Sequence, residues 1–165
     1  MRRLESRLLF CVTLAACSGG GGGSQMAATA PETLVGEIQL TGSAPAFLVT
    51  LTTAEGRSVD LAGDLRRELQ DLSGAEVAVR GRLVSARDFQ VTSYEIRAID
   101  GQQPLVGTVA YRDGEYWLDA DESVRLVNAS EGLRAQVGAK VWILGRAMAD
   151  GVYPQTYGVI RASRE

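Results

Sequence analysis

The 165-residue sequence contains no histidine, only one lysine, two cysteines and few aromatic residues, which make up 6% of the chain. Without histidine there is no imidazole to act as a general base or metal ligand near neutral pH, and Ser-His-Asp and Cys-His catalysis are excluded. A serine nucleophile with a lysine base would need Lys140, the sole lysine, and the spacing suggests no partner serine. A catalytic pair of carboxylates is the arrangement that the sequence leaves open, because Asp and Glu can converge from anywhere in a fold. We predict a protein that is not an enzyme and that carries no cofactor.

The first 16 residues predict a signal peptide. Three arginines within residues 1–7 precede a short apolar run, residues 8–16, that is too short to remain as a membrane span. The run ends in Leu14-Ala15-Ala16-Cys17, which resembles the lipobox of bacterial lipoproteins. The resemblance implies cleavage before Cys17, a diacylglyceryl thioether on its sulfur and an added fatty acyl chain such as palmitate on the new N-terminus.

Residues 17–31 predict a flexible tether between this lipid anchor and a folded region. Five consecutive glycines follow Ser18, and such a segment cannot bury apolar area. Because serine rather than aspartate follows the cysteine, the lipoprotein resemblance implies the periplasmic face of a Gram-negative outer membrane. Cleavage would remove three of the 17 basic and one of the 20 acidic residues, changing the net charge from -3 to -5. An acidic envelope protein is a poor nucleic-acid binder, so we expect no nucleic-acid partner.

An internal repeat fills the rest of the chain. The segment from Gly74 to Arg82 matches the segment from Gly138 to Arg146 at five of nine positions, and a shorter Leu-Val-Gly match lies upstream in each copy. We predict that residues 32–103 and 104–165 are two copies of a β-β-β-α-β-β unit. In the second copy, the third strand is expected from Val124 to Asn128.

This layout resembles the OB fold, with the patterns V-x-G-x-V and G-x-x-V-x-V-x-G in its first and fourth strands. The resemblance implies an all-β fold with one short helix per repeat, built as two tandem five-stranded OB-fold-like barrels. Gly36, Gly81, Gly107 and Gly145 lie inside predicted strands, where a barrel needs sharp bends. A single β-sandwich that uses all ten strands is the alternative.

The second copy holds six of the nine aromatic residues that follow Cys17. Apolar alternation predicts that Val141 and Ile143 face its core, so that their neighbours face outward. Packing between the two copies is the favoured use of this outward surface, and a groove for a ligand or partner is the other. The candidate binding or inter-domain residues are Trp117, Trp142, Leu144, Arg146, Tyr153 and Tyr157.

These features predict a lipid-anchored, non-catalytic binding or assembly module of the cell envelope that contacts an envelope protein, a glycan or a small polar ligand. A structural spacer within an envelope complex is one alternative, and an OB-type stress protein that binds a small cation or solute is another. The acidic segment 119–123 begins like a calcium loop but lacks its turn glycine and distant glutamate. We therefore predict a solvated turn there and no metal site.

Overall fold

The computed structural model of the protein describes residues 30–43 and 47–163. Over these residues the chain forms ten strands and two short helices, which agrees with the predicted all-β class with one helix per repeat. The predicted signal peptide, Cys17 and most of the predicted tether lie outside the described residues. Neither helix has the length and apolar character needed to cross a membrane.

The elements of the first half are β1 (Glu32–Thr41), β2 (Leu48–Thr53), β3 (Ser58–Ala62), α1 (Arg66–Gln70), β4 (Glu76–Leu83) and β5 (Asp88–Ala98). The strands form a closed barrel with the order β1-β2-β3-β5-β4. Strand β1 bends at Gly36, because its first part pairs with β4 and its second part pairs with β2. A Cβ atom at Gly36 would lie 2.3 Å from the carbonyl oxygen of Thr52, so only glycine fits this bend.

The elements of the second half are β6 (Leu105–Arg112), β7 (Glu115–Asp119), β8 (Val124–Arg125), α2 (Glu131–Arg134), β9 (Lys140–Met148) and β10 (Gly151–Arg161). The strands repeat the connectivity of the first half in a five-stranded sheet with the order β10-β9-β6-β7-β8. Helix α2 is capped by the Ser130 hydroxyl, which accepts a hydrogen bond from the Leu133 amide at 3.3 Å.

The prediction of a second closed barrel needs correction, because strand pairing leaves the second sheet open between β8 and β10. Strand β8 has two residues, fewer than predicted, and a single parallel bridge from Leu126 to Val152 continues toward β10. Asn128 adopts a left-handed φ of 54°, which ends the extended conformation. The Arg125 guanidinium of β8 pairs with Glu115 of β7 at 2.6 Å and reaches across the gap to Asp150, in the turn before β10.

Each half has its own apolar core, and the helix of each half closes one side of it. In the first half, Leu69 and Leu72 of the α1 region pack with Phe89. In the second half, Leu133 of α2 packs with Leu118. Since all five side chains are at most 1% exposed, each contributes about 1.5–3 kcal/mol through burial.

A tight turn joins the two halves. Ile99 and Gln102 exchange two backbone hydrogen bonds of 2.8 and 2.9 Å. Between them, Asp100 and Gly101 both have positive φ, 49° and 72°, as a type I′ turn requires. The connection is therefore a closed hairpin turn instead of an extended linker.

Candidate functional site

The two halves meet along a seam on the outer side of β9 and β10. Leu144 and Ile160 lie on strands of the second half, yet they are buried in the core cluster of the first half, at 8% and 1% exposure. Trp142 is half-buried and packs against the same cluster. Val141 and Ile143 belong to the core of the second half, as the alternation predicts. Strand β9 therefore has one side in its own core and the other against the neighbouring half.

Trp142 owes its position in the seam to a glycine on the neighbouring strand. It pairs with Gly158 of β10, and a Cβ atom at Gly158 would lie 2.5 Å from two atoms of the indole ring. Only the absence of a side chain lets the indole lie across β10 at this point. This packing favours the inter-half use of Trp142 over a ligand groove.

A buried carboxylate, Glu68 of α1, is the polar centre of the seam. The Tyr94 hydroxyl donates a hydrogen bond to its Oε2 at 2.6 Å. The Lys140 ammonium donates to Oε2 at 3.0 Å, and the Arg161 guanidinium donates to Oε1 at 2.9 Å. Lys140 also lies 3.0 Å from the Tyr94 hydroxyl and 4.8 Å from the centre of its ring. One carboxylate of the first half thus binds two cations of the second half.

The environment of Glu68 keeps it ionised. Burial by itself raises the pKa of its carboxyl, but the hydrogen bonds from Tyr94 and Lys140 and the charges of Lys140 and Arg161 bring the pKa below its ordinary value. Burial and the nearby carboxylate also raise the pKa of Tyr94 above its usual range. At neutral pH the cluster therefore contains an anionic Glu68 and a neutral Tyr94 that acts as a hydrogen-bond donor.

This ionisation predicts a loss of stability in acid. The pKa of Glu68 is lower in the folded state, so ionised Glu68 stabilises the fold fully above about pH 4.5, and this contribution is lost as the pH falls through the folded pKa. We expect the free energy of unfolding in urea to fall more steeply between about pH 5 and pH 3 for the natural protein than for Glu68→Gln. Parallel pH profiles of the two proteins would contradict this role.

The other predicted site residues are spread over several surfaces. Arg146 and Tyr153 are exposed and pair across the β9–β10 hairpin. Tyr157 packs against the core of the second half, and its hydroxyl lies next to Gly132 of α2. Trp117 lies on β7. The structure therefore brings Trp142 and Leu144 together in the seam and places Arg146, Tyr153, Tyr157 and Trp117 outside that cluster.

Sequence reasoning missed Glu68 and its bound tyrosine, and it considered Lys140 only as a catalytic base. The sequence does contain an indication of a buried carboxylate. Glu68 lies three residues after Leu65 and four before Leu72, so the three residues share one face of a helix. A carboxylate inside an apolar stripe indicates a buried partner of opposite charge. The partners themselves lie 72 and 93 residues away in sequence, and no local pattern identifies them.

A second group of residues surrounds Trp117 on the side of β7 opposite the buried Leu118. The Arg112 guanidinium lies 4.8 Å from the centre of the Trp117 ring and pairs with Asp119 at 2.9 Å. Arg125, paired with Glu115, is the cross-strand neighbour of Trp117. We call this surface the Trp117 face, and it consists of Arg112, Glu115, Trp117, Asp119 and Arg125.

Hydrogen bonds hold the charged groups of the Trp117 face in place. The Ser123 hydroxyl donates to Asp119 at 2.8 Å, and this bond together with Arg112 holds the pKa of Asp119 below its ordinary value. The Trp117 Nε1 is buried and makes no hydrogen bond within the described part of the chain. An aromatic ring thus lies on a sheet surface beside the Arg112 guanidinium, with Arg125 as the neighbouring residue on β8.

Neither a family model nor a curated protein nor a solved structure matches this chain. Among the described residues, no group of three or more histidine, cysteine, aspartate or glutamate side chains is arranged to hold a metal ion. The seam is suited to fixing the two halves, and the Trp117 face is suited to contact with a molecule in solution.

Proposed function

We propose that the protein is a lipid-anchored, non-catalytic binding module of the cell envelope, whose two halves act as one rigid unit. The seam is the observation that carries this proposal. Residues of β9 and β10 are buried in the core of the first half, and Glu68 binds cations from the second. Such a seam fixes the exposed faces of both halves in a constant relative position, which a binding surface requires.

The fold supports a binding role. The order β1-β2-β3-β5-β4, with a helix between the third and fourth strands, supports the assignment of the first half as an OB-type barrel. The second half has the same connectivity, which supports a second OB-type unit whose closure between β8 and β10 depends on a single bridge from Leu126 to Val152. OB-type barrels carry ligands on their second and third strands, and in the second half these are the strands of the Trp117 face.

The chemistry of the side chains supports the absence of catalysis. The sequence has no histidine, and the ammonium of its sole lysine is bound to Glu68 and Tyr94. An ammonium that donates hydrogen bonds to both of these groups offers no lone pair to a substrate. Tyr94 is equally unsuited, because its raised pKa keeps the phenol neutral.

Metabolic labelling tests the anchor. With the full chain expressed in a Gram-negative bacterium and fed radiolabelled palmitate, we expect a labelled protein that sediments with the outer membrane. The matched variant Cys17→Ser removes the sulfur that the lipobox resemblance makes the lipid acceptor, and we expect no label and no membrane sedimentation. Label on the Cys17→Ser variant, or none on the natural protein, would contradict the anchor.

Copurification after crosslinking in intact cells tests the binding role. We expect the tagged protein to recover a specific envelope protein or glycan that an unrelated tagged lipoprotein of similar abundance does not recover. The recovery should survive detergent solubilisation, because it depends on a surface of fixed geometry rather than on shared lipid. Equal recovery by both proteins would favour a structural spacer over a binding module.

A further inference from the structure

A cavity of about 710 Å³ lies beside the seam, between the α1 region and the end of β10. One wall contains Asp64, Arg67, Glu68 and Asp71, which share one face of the helical segment because they are three and four residues apart. The opposite wall consists of four consecutive residues, 159–162. We call this cavity the α1–β10 cleft.

The α1–β10 cleft runs along the backbone edge of β10. Successive side chains of a strand point to opposite faces of the sheet, so a cavity on one face would be lined by every second residue. Here Val159, which packs against the core of the second half, and Ile160, which is buried in the core of the first, both line the cleft. The cleft therefore faces the side of the strand that carries its backbone hydrogen-bonding groups.

This side of β10 has no strand beside the cleft. Strand β10 lies at the end of the second sheet and has β9 as its neighbour. On the outer side, backbone pairing among the described residues is limited to Val152, which bridges to Leu126 and accepts a hydrogen bond from the Val127 amide at 2.8 Å. Residues 159–161 thus present a row of unpaired backbone N–H and C=O groups, as the edge of a sheet does.

The form of the cleft favours one extended peptide segment over other ligands. Backbone groups that repeat along a strand are matched by a second extended backbone, whereas a sugar ring or a phosphate group offers no such row. Helix α1 occupies the space beyond the edge, so a single segment fits where the edge of a folded sheet would meet the helix. The volume lies within the range of ligand sites, and such sites are common between domains.

The charges of the cleft agree with a neutral, polar backbone as the ligand. Its walls carry three carboxylates, Asp64, Glu68 and Asp71, and two guanidinium groups, Arg67 and Arg161. An anionic polymer is disfavoured by this balance. Arg161 donates to Glu68 through Nη1, and its side chain is 53% exposed, so its other N–H groups are left for a carbonyl oxygen.

We propose that the α1–β10 cleft binds an extended peptide segment of an envelope protein, which adds to β10 as a further strand. Alternate side chains of the segment pack against the half-buried Leu65 and Val159, and the others face water. Both halves contact the segment, because α1 belongs to the first half and β10 to the second. This inference rests on the proposed function as a binding module and names the partner class.

Selection of random peptides displayed on phage, with the full chain in detergent as the target, tests this proposal. We expect enriched peptides with apolar residues at every second position, because one side of the added strand packs in the cleft. A synthetic peptide of an enriched sequence should bind in calorimetric titration. Single N-methyl groups placed in turn on its backbone amides should lower the affinity at least about tenfold at alternate positions and have little effect between them.

Two tryptophan substitutions locate the site on the protein. Arg67 is an exposed residue of the α1 wall, and Arg67→Trp places a large ring in the cleft. Ser73→Trp is the matched control, because Ser73 is also exposed but does not line the cleft. We expect Arg67→Trp to lower the affinity for the synthetic peptide at least about tenfold, and Ser73→Trp to bind as the natural protein does.

Hydrogen exchange of the natural protein provides a measurement that needs no variant. Backbone amides of residues 159–162 should exchange more slowly when the synthetic peptide saturates the protein, because the added strand pairs with this edge.

Three results would overturn the inference: no enriched peptide, equal affinity of the natural protein and Arg67→Trp, or unchanged exchange at residues 159–162. An N-methyl effect without alternation would do the same, since it excludes strand pairing. If an envelope component still copurifies after any of these results, the protein binds through another surface and the proposed function stands. If nothing specific copurifies either, both proposals fail.

Discussion

Replacement of Glu68 by alanine should lower the free energy of unfolding by about 3 kcal/mol. The substitution leaves Lys140 and Arg161, which are cross-strand neighbours in the second half, without their shared carboxylate, and it removes the acceptor of the Tyr94 hydroxyl. The loss falls at the lower end of the range for buried ion pairs, because the Arg161 side chain is 53% exposed and can turn toward water. Urea denaturation followed by circular dichroism measures the change.

The same variant should also unfold in two steps. Since Glu68 joins the halves, its loss weakens their coupling more than it weakens either core, and each half should then show its own transition. Glu95→Ala is the matched control, because Glu95 pairs with Arg97 at 3.2 Å with both side chains at least half exposed. We expect the control to change stability by less than about 1 kcal/mol. Equal losses in the two variants would show that the seam does not depend on Glu68.

Replacement of Gly81 by alanine should lower the free energy of unfolding by about 4 kcal/mol, or prevent folding of the first half. A Cβ atom at Gly81 would lie 2.0 Å from the carbonyl oxygen of Gln90 and 2.8 Å from the Phe89 ring. The backbone oxygen cannot move without breaking the β4–β5 pairing, whose register shifts between Arg80 and Gly81. Thermal and urea denaturation measure the loss.

Gly56→Ala provides the control for the Gly81 substitution. At Gly56, too, the substitution adds only a Cβ atom, and this atom would meet no other atom within 4 Å. Its positive φ of 80° makes alanine strained, at a cost of about 1–2 kcal/mol. A loss at Gly81 no larger than the loss at Gly56 would mean that the barrel tolerates a side chain at this bend.

The strands and their inward faces could be predicted because they depend on local patterns. Alternation identified Val141 and Ile143 as core residues, and the outward position of Leu144 followed from the same period. Glycines inside strands identified bends, and Gly36 and Gly81 are indeed in contact with neighbouring backbone. These predictions needed only the two-residue period of a strand and the special geometry of glycine.

The closure of the second sheet could not be predicted in this way. The apolar pattern of residues 124–128 is compatible with a full strand, but Asn128 turns the chain out of the extended conformation after a short pairing. The ion pair of Arg125 with Asp150 then spans the gap, and it depends on a residue 25 positions away. Similarly, the two cations that bind Glu68 lie in the other half of the chain. No local periodicity in the sequence indicates contacts between side chains that are far apart along the chain.

The type I′ turn at Asp100 and Gly101 has a consequence for how copies of this protein meet. Exchange of domains between molecules requires a connector that can straighten and carry one unit into a neighbour. A two-residue turn closed by hydrogen bonds on both sides resists such straightening, because straightening would break both backbone hydrogen bonds between Ile99 and Gln102. Each molecule should therefore assemble only from its own chain, even where many copies are crowded together.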